Sequence, residues 1–556
     1  MNNFRIANEL NELKVLLEIN GDFKSALQFE NAYLTILALD YPIGNYGSLN
    51  FFPESVKDEI DNIIIRGYSP KKELLEYRTP KTLRNLAKIP SLRVSDVLNI
   101  YRFLNIDSVS DLERMLKDGL VKRKFGEKFE EHLRRALFYF EGKQKELSLF
   151  FACAYANAIK TETQHLGKIE VVGSVRRGKE VVDNIDFIFS FDKHALINFL
   201  IPSFNLTLVS IKGNLITFKD ENSFKLKFYY LPERYFYSGL QYYTGSKQHN
   251  RFIQEVASTK GYGIAKSGMV LLEANSEKEF YEKLTLAYIP PEVREGEEEI
   301  DFALNNSSPN IVDISDIKGD LHVHSNFSDG NSTIAEIKEE ARYLNYEFIA
   351  ITDHSKSLRI ANGLDEALLR REFEVIDRLN SFGDPPFLLK GIEAEIKENG
   401  SVDIEEDFFD KFDFVVGGLH KFSNSSFENT YRIKKALNSG LVDTLAHPTN
   451  RIVFIRRSIP INLEEIFEVA SKKAVALEIN LFPNRMDLSS GLIKQAKRSH
   501  VKYFSVGTDA HSVGHLNFMK YGIKILKRAW VKKEEVLNTF CYNDIRNVRW
   551  IKTHLE

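Results

Sequence analysis

Cysteine is almost missing from this chain of 556 residues: Cys153 and Cys541 are the two present, in different regions and near no ligand pattern. A disulfide framework and a thiolate metal site are thereby excluded, and the usage fits a reducing cytoplasm. Long apolar runs are missing too. The greasiest stretch, residues 147–159, stops at Lys160, well short of the roughly 20 residues a membrane span needs. The start Met1-Asn2-Asn3-Phe4-Arg5 lacks the apolar core of a secretory signal, so neither export nor membrane insertion is expected. Nor is there an excess of charge of one sign. With 75 basic and 78 acidic side chains the formal net charge is -3, so any grip on nucleic acid has to come from local patches rather than from an overall field. The 43% hydrophobic content excludes a mostly disordered protein, and the length calls for several domains of roughly 100 to 200 residues each.

What the chain does have is histidine in one place. Nine of its 13 histidines fall in the last 235 residues, from His322 onward. The texture of the chain changes along the way. Residues 1 to about 140 read as helical, with Ile6, Leu10, Leu13 and Leu17 marking an amphipathic first helix. Ile89-Pro90-Ser91-Leu92-Arg93 and Arg123-Lys124-Phe125-Gly126-Glu127-Lys128 read as short turns between helices and form a weak internal repeat. Residues 145–300 read as mixed helix and strand, with strands at 169–172, 185–189, 215–218 and 224–231. Asn305-Asn306-Ser307-Ser308-Pro309-Asn310 is polar and turn-forming, and places the main boundary near 310. Beyond it, seven short apolar runs at 320–323, 348–351, 388–392, 414–416, 442–445, 475–479 and 503–506 alternate with helical stretches. Continuous apolar strands alternating with helices imply a parallel sheet, and seven units suit a barrel.

Polar residues fall at the ends of those runs. In Asp320-Leu321-His322-Val323-His324 the two imidazoles are two apart, so on a strand they point to one side as a chelating pair. Asp329 follows, and then strand after strand ends in a ligand type: His354, Glu393, His420, His447, and Asp509 with His511. Any one of these alone reads equally well as a capping or core residue. Together they converge where barrel enzymes build their sites, and six imidazoles with three carboxylates suit two or three metal ions. His500, His515 and His554 read as surface residues, with His515, four after His511, the one candidate for a supporting role.

In this pattern the region 319–556 resembles the PHP (polymerase and histidinol phosphatase) domain, a distorted seven-stranded barrel with a trinuclear metal site, and all nine ligand positions are matched. The resemblance implies one ion held by His322, His324, Glu393 and Asp509, a second by Glu393, His420 and His447, and a third by Asp329, His354 and His511, with Glu393 as the bridge. It implies phosphoester hydrolysis with Glu393, Asp509 and His322 as water-activating ligands. The donor set favours manganese or zinc, with iron open.

Three further motifs, Gly173-Ser174-Val175-Arg176-Arg177-Gly178, Leu240-Gln241-Tyr242-Tyr243-Thr244-Gly245-Ser246-Lys247 and Tyr288-Ile289-Pro290-Pro291-Glu292-Val293-Arg294-Glu295, resemble those of bacterial and archaeal family X DNA polymerases, which carry this barrel at their C-terminus. The fold class implied is multidomain α/β, with six parts. These are helices at 1–85, helix-hairpin-helix turns at 86–142, a polymerase-beta-like palm at 143–235, a thumb at 236–305, a linker at 306–318 and the barrel at 319–556. Gly173, Ser174 and Arg177 would hold nucleotide phosphates. The polymerase metals need three carboxylates, but the matching positions read Asn184, Asp186 and Lys227, which leaves Asp186 alone and makes bound magnesium unexpected. Asp183, three before Asp186, would point to the opposite strand face. Of the four glycines of the hairpin turns only Gly126 remains, beside the basic Lys122-Arg123-Lys124. Arg451, Arg456 and Arg457, after His447, are placed to grip a substrate.

The expected function is therefore a metal-dependent phosphodiesterase on DNA, a 3′–5′ exonuclease with abasic-site or 3′-end processing as a further activity, in repair. Its partners would be gapped, single-stranded or 3′-ended DNA and a nucleotide, and its state a cytoplasmic monomer. The alternatives are a gap-filling polymerase joined to a nuclease, a small-molecule phosphatase of the histidinol-phosphatase type, and a non-catalytic DNA-end scaffold.

Overall fold

The computed structural model describes residues 2–39, 41–43, 52–89, 92–140, 146–305, 307, 309–453, 455–456 and 458–548. Pro90, Ser91, Asn306, Ser308, Arg457 and His554, all named above, lie outside them.

The N-terminal part is helical. Asn2 caps the first helix, Asn3–Ile19, by accepting from the Arg5 N–H, and Ile6, Leu10, Leu13 and Leu17 are buried along one face as their spacing predicts. The next helix, Phe23–Ala38, is capped by Asp22 and packs antiparallel on the first; it also buries Asn31 and Thr35, a polar pair one turn apart. A separate small core, including Leu86, Val97, Ile100, Leu112 and Leu133, gathers five helices between Lys81 and Phe140. Here the structure departs from expectation. Residues 123–125 are not a turn but the end of the helix Leu120–Phe125, and the chain breaks only at Gly126, whose φ of 87° demands a glycine.

All but the first two residues of the greasy run at 147–159 lie in the helix Leu149–Thr163, which is apolar nearly all round because three bodies pack on it. Tyr155 stacks on Phe4 of the first helix, and Phe150 meets Phe518 and Tyr521 of the C-terminal half edge-on, each at 5.1 Å. The helix also covers a five-stranded mixed sheet. In spatial order its strands are Ile169–Val172, Asn184–Phe189, Lys225–Tyr230, Leu215–Lys219 and Thr207–Lys212. The last is an edge strand with little burial, which is why its composition carries no clear core signal.

The C-terminal half is a nearly closed barrel of seven parallel strands in chain order: Gly319–Val323, Phe348–Ile351, Phe387–Glu395, Phe414–Gly418, Thr444–Leu445, Ala476–Asn480 and Phe504–Gly507. Each of the seven apolar runs supplies one strand. First and last meet through a parallel bridge between Val323 and Ala510, with Asp509 N–H donating to His322 O at 2.9 Å and His324 N–H to Ala510 O at 2.9 Å. The front half is docked on one side of this barrel. Glu180 accepts from the Ser490 N–H at the start of helix Ser490–Arg498, and Lys520 Nζ donates to Ala38 O at 2.7 Å. No helix among the described residues is long and apolar enough to cross a membrane.

Candidate metal centre

Parallel strands that all run one way must end at one rim, so every residue just past a strand's C-terminus is delivered to the same mouth. All nine side chains singled out from the sequence arrive there. His322 Nε2 and His324 Nε2 face each other at 3.2 Å, and Asp509 Oδ1 lies 3.7 Å from the first and 3.2 Å from the second. Glu393 sits in the middle. Its Oε2 is 3.5 Å from His322 Nε2, 3.6 Å from His324 Nε2 and 2.9 Å from His354 Nδ1, while its Oε1 is 3.2 Å from both His420 Nε2 and His447 Nε2. Asp329 lies 3.5 Å from His354 Nε2 and 3.5 Å from His511 Nε2. By proximity the donors gather as His322, His324 and Asp509; as His354, Glu393 and His420; and as His324, His354 and His511. This grouping shares His324 and His354 between sets, where the sequence reading gave each histidine to one ion.

The backbone is bent to achieve this. Asp509 is held at φ 54° and His447 at φ 28°, a conformation costly for residues with side chains and tolerated where the surroundings enforce it. Gly418 is required: a Cβ there would lie 2.7 Å from both Glu393 Oε1 and His420 Cε1.

The site fits divalent cations by its donor set and by its electrostatics. Burial alone would push Glu393 up, but the His420, His354 and His322 imidazoles outweigh it and hold the carboxyl well below the carboxylate range. Asp509 is likewise held low against burial by His322, His324 and His511. In return, and against the opposing effect of burial, Glu393 and Asp329 raise His354 to about 10, and Glu393 and Glu395 raise His420 to about 9. The buried Nδ1 atoms of His324 and His447 have no hydrogen-bond partner among the described residues, which is costly in a dry site that holds protein groups alone.

Two carboxylates escaped the sequence reading. Glu478 Oε1 accepts from His322 Nδ1–H at 2.5 Å while its Oε2 accepts from the His447 N–H at 2.6 Å; Glu395 Oε2 is 2.6 Å from His420 Nδ1. Each leaves the Nε2 of its histidine turned to the centre as a donor. The signals were there: Glu395 is two residues from Glu393, hence on the same strand face, and Glu478 is the one charge in Ala476–Asn480. Arg485 also escaped notice. Its Nε lies 3.6 Å from Asp509 Oδ2, whereas Arg451 donates to the Arg485 carbonyl and Arg456 to the Asn450 carbonyl, both at 2.8 Å. Arg485 thus reaches a candidate ligand directly, whereas the two described arginines of the expected cluster brace a loop.

His500 is exposed, as expected, but His515 is not a surface residue: it is 0% exposed. Its ring stacks on Phe518 with centroids 4.9 Å apart, meets Phe482 edge-on, and accepts from the His511 N–H at Nδ1, 3.3 Å away. Burial first, and then the His511 charge, pull this imidazole down to about 3. It reads as surface in sequence because the helix that covers it, Phe23–Ala38, is nearly 500 residues away along the chain.

In the palm-like sheet, Asn184 and Asp186 share one half-buried strand face, with Ile185 and Phe187 buried behind them and Asp183 exposed just before the strand. On the parallel neighbour Asp186 pairs in register with Lys227. Burial pushes the Asp186 carboxyl up and Lys227 opposes the shift. Gly173, at φ 67°, brings the loop backbone so close that a Cβ would lie 2.6 Å from Asp186 Oδ2. Ser174 is half-buried beside it. Arg177 is engaged elsewhere: its Nε donates to Glu295 Oε1 at 2.9 Å and its Nη1 to Thr244 O at 2.7 Å, and Glu295 also pairs with Arg528 of the barrel. Near Gly126, Lys122 pairs with Glu127 at 2.7 Å and Lys124 lies over the Phe103 ring.

Comparison with known proteins gives the following. Residues 239–295 match the DNA polymerase beta thumb family, and residues 320–481 the PHP domain family. The DNA polymerase/3′-5′ exonuclease PolX of Bacillus subtilis (strain 168) is 31% identical over 563 residues, spanning 96% of this chain and 97% of that protein. Similarity to probable phosphatases covers less of the chain. One from Proteus mirabilis (strain HI4320) is 28% identical over 230 residues, 40% of this chain and 89% of its own length. Another, from Thermoanaerobacter sp. (strain X514), is 30% identical over 240 residues, again 40% of this chain and 89% of its own.

Proposed function

Because this chain belongs to the family X DNA polymerases that carry a C-terminal PHP domain, we propose that its barrel is a metal-dependent DNA phosphodiesterase, a 3′–5′ exonuclease, and that its palm binds DNA or nucleotide without nucleotidyl transfer. The observation that carries the reading is the convergence of six imidazoles and three carboxylates at the barrel mouth, with Glu393 within 3.6 Å of five of the imidazoles. His322, His324, Glu393 and Asp509 would hold one manganese or zinc ion, Glu393, His420 and His447 a second, and Asp329, His354 and His511 a third. Such ions supply Lewis acidity, lowering the pKa of water and offsetting charge on a scissile phosphate.

The chain's own residues do the rest. Glu478 and Glu395 fix the tautomers of His322 and His420 by accepting hydrogen bonds from their Nδ1–H groups, so that the Nε2 lone pairs stay aimed inward. Asp509 O does the same for His511 at 2.7 Å. Arg485, half-buried beside Asp509, presents a guanidinium suited to a non-bridging phosphate oxygen. Processing of abasic sites or 3′ ends would use the same centre on a different leaving group.

Against polymerisation stand the amide at 184 and the ammonium at 227, where nucleotidyl transfer needs carboxylates to hold magnesium. Arg177, turned to Glu295, is not free for a triphosphate. The polymerase named in the Bacillus relative makes gap filling the alternative, and the match of the barrel to probable phosphatases makes phosphomonoester hydrolysis a second. One set of assays separates them. With manganese, end-labelled single-stranded and gapped DNA should lose 3′ nucleotides, and Glu393→Ala should not support this. Release from phosphomonoesters but not from DNA would favour the phosphatase, and templated incorporation abolished by Asp186→Ala would favour the polymerase.

A further inference from the structure

His511 reaches the centre from a loop rather than from a strand. It follows Asp509, whose φ is positive, and is the most exposed of the six candidate imidazoles, its side chain 27% accessible. Its ring packs on His324 with centroids 4.6 Å apart and its Nδ1 lies 2.7 Å from Asp509 O, while its backbone is held from two sides: the carbonyl accepts from the Asn331 N–H at 2.8 Å, and the N–H donates to His515 Nδ1 at 3.3 Å. His515 is itself immobilised. Phe518 stacks on one face, Phe482 closes an edge, and the remaining edge abuts the backbone of Asn31 in helix Phe23–Ala38. The adjoining Gly514 has no room for a Cβ, because the Thr35 side chain of the same helix occupies that space. Asn31 and Thr35, one helical turn apart, are therefore the polar face this helix turns to the loop. Helices that pack for stability alone put apolar side chains at such a contact; two buried polar residues there mark a position selected for geometry.

We propose that His515 is a positioning residue for His511, and that through it the N-terminal helical domain sets the placement of one ligand of the metal centre. The nuclease barrel is thereby completed by a helix from the opposite end of the chain. The proposal rests on the reading of His511 as a metal ligand.

The test is a manganese titration of the metal-stripped full-length chain, followed by the electron paramagnetic resonance of free Mn²⁺. His515→Leu keeps the volume between Phe518 and Phe482 but removes the acceptor, and should weaken the least tightly held ion by about 10- to 100-fold. His515→Asn places an amide oxygen where Nδ1 stood and should restore binding to near the wild-type value. Unchanged affinity in His515→Leu overturns the proposal, and so does equal weakening in both variants, which would make the role one of packing. Should His515→Leu fail to fold, Thr35→Leu, which presses on the same loop from the helical domain, should weaken the same ion, and no change would overturn the coupling. A wild-type chain that takes up no manganese would overturn the metal reading and this inference with it, whereas normal wild-type uptake with unaffected variants would overturn the inference alone.

Discussion

The palm-like sheet and the barrel present polar groups in the same manner, on alternate positions of a strand or just past its end, and arrive at opposite inventories. At the palm, Asp186 is in register with Lys227 on the parallel neighbour and Asn184 lies beside it, so that face offers one carboxylate, one amide and one ammonium. At the barrel mouth three carboxylates stand among six imidazoles, and Glu478 and Glu395 add two more carboxylates behind them. The difference teaches that a fold does not by itself establish a site. The palm-like face draws its polar groups from two neighbouring strands, whereas the barrel gathers its candidate ligands from many.

That contrast can be broken in several ways, beginning with the largest effect. Glu393→Gln removes the group common to the centre and should lower manganese-dependent nucleotide release at least about 100-fold, beyond the loss typical of supporting residues. Asp186→Asn, in the distant palm, should leave release within about twofold. Equal losses in the two variants, measured on end-labelled single-stranded DNA, would mean that the halves share one active site. Glu478→Gln and Glu395→Gln should each weaken metal binding by about 10- to 100-fold, read by calorimetric titration, because an amide that turns its NH₂ to the ring no longer fixes the tautomer.

A third prediction uses pH. In the metal-free chain His354 and His420 are raised to about 10 and about 9 from an ordinary 6.5. A raised imidazole contributes stability that is fully present below its unfolded pKa and is lost as pH climbs through the folded value. The melting temperature of the metal-free chain should therefore fall by a few degrees as pH rises from about 7 to about 10. The manganese-loaded chain should not follow it, since ions bind the neutral rings and release their protons. A metal-free melting temperature that rises over this range would show that these imidazoles are not charged. The smallest effect belongs to the palm. Lys227→Met should change folding stability by no more than about 1 kcal/mol in denaturant titration, because the Lys227 side chain is half-exposed and its influence on Asp186 is screened by solvent.

Legibility in sequence followed the range of the forces involved. Each barrel run could be read because a strand buried on both faces is apolar throughout, and the ligand positions stood out as breaks in that pattern. The first helix was legible from the period of Ile6, Leu10, Leu13 and Leu17. The expected turn at 123–125 was misread because a basic, glycine-ended segment looks alike as a helix end and as a loop. Glu478 is marked locally only as the lone charge of its strand, and nothing local marks Arg485, whose partner Asp509 lies elsewhere in the chain.

Scarce cysteine, balanced charge and histidine gathered into the last 235 residues determined from sequence alone that any metal chemistry here is carried by imidazole and carboxylate in the C-terminal half. Strand alternation determined that these groups share a rim. Tertiary structure alone decided which groups touch: that His324 and His354 lie between ligand sets, that Arg177 is turned to Glu295, and that His515 is buried under Asn31 and Thr35. The physical reason is separation. Periodicity is imposed by a backbone on its nearest neighbours, while contact between a helix at the start of the chain and a loop near its end is settled only when both are packed against the same core.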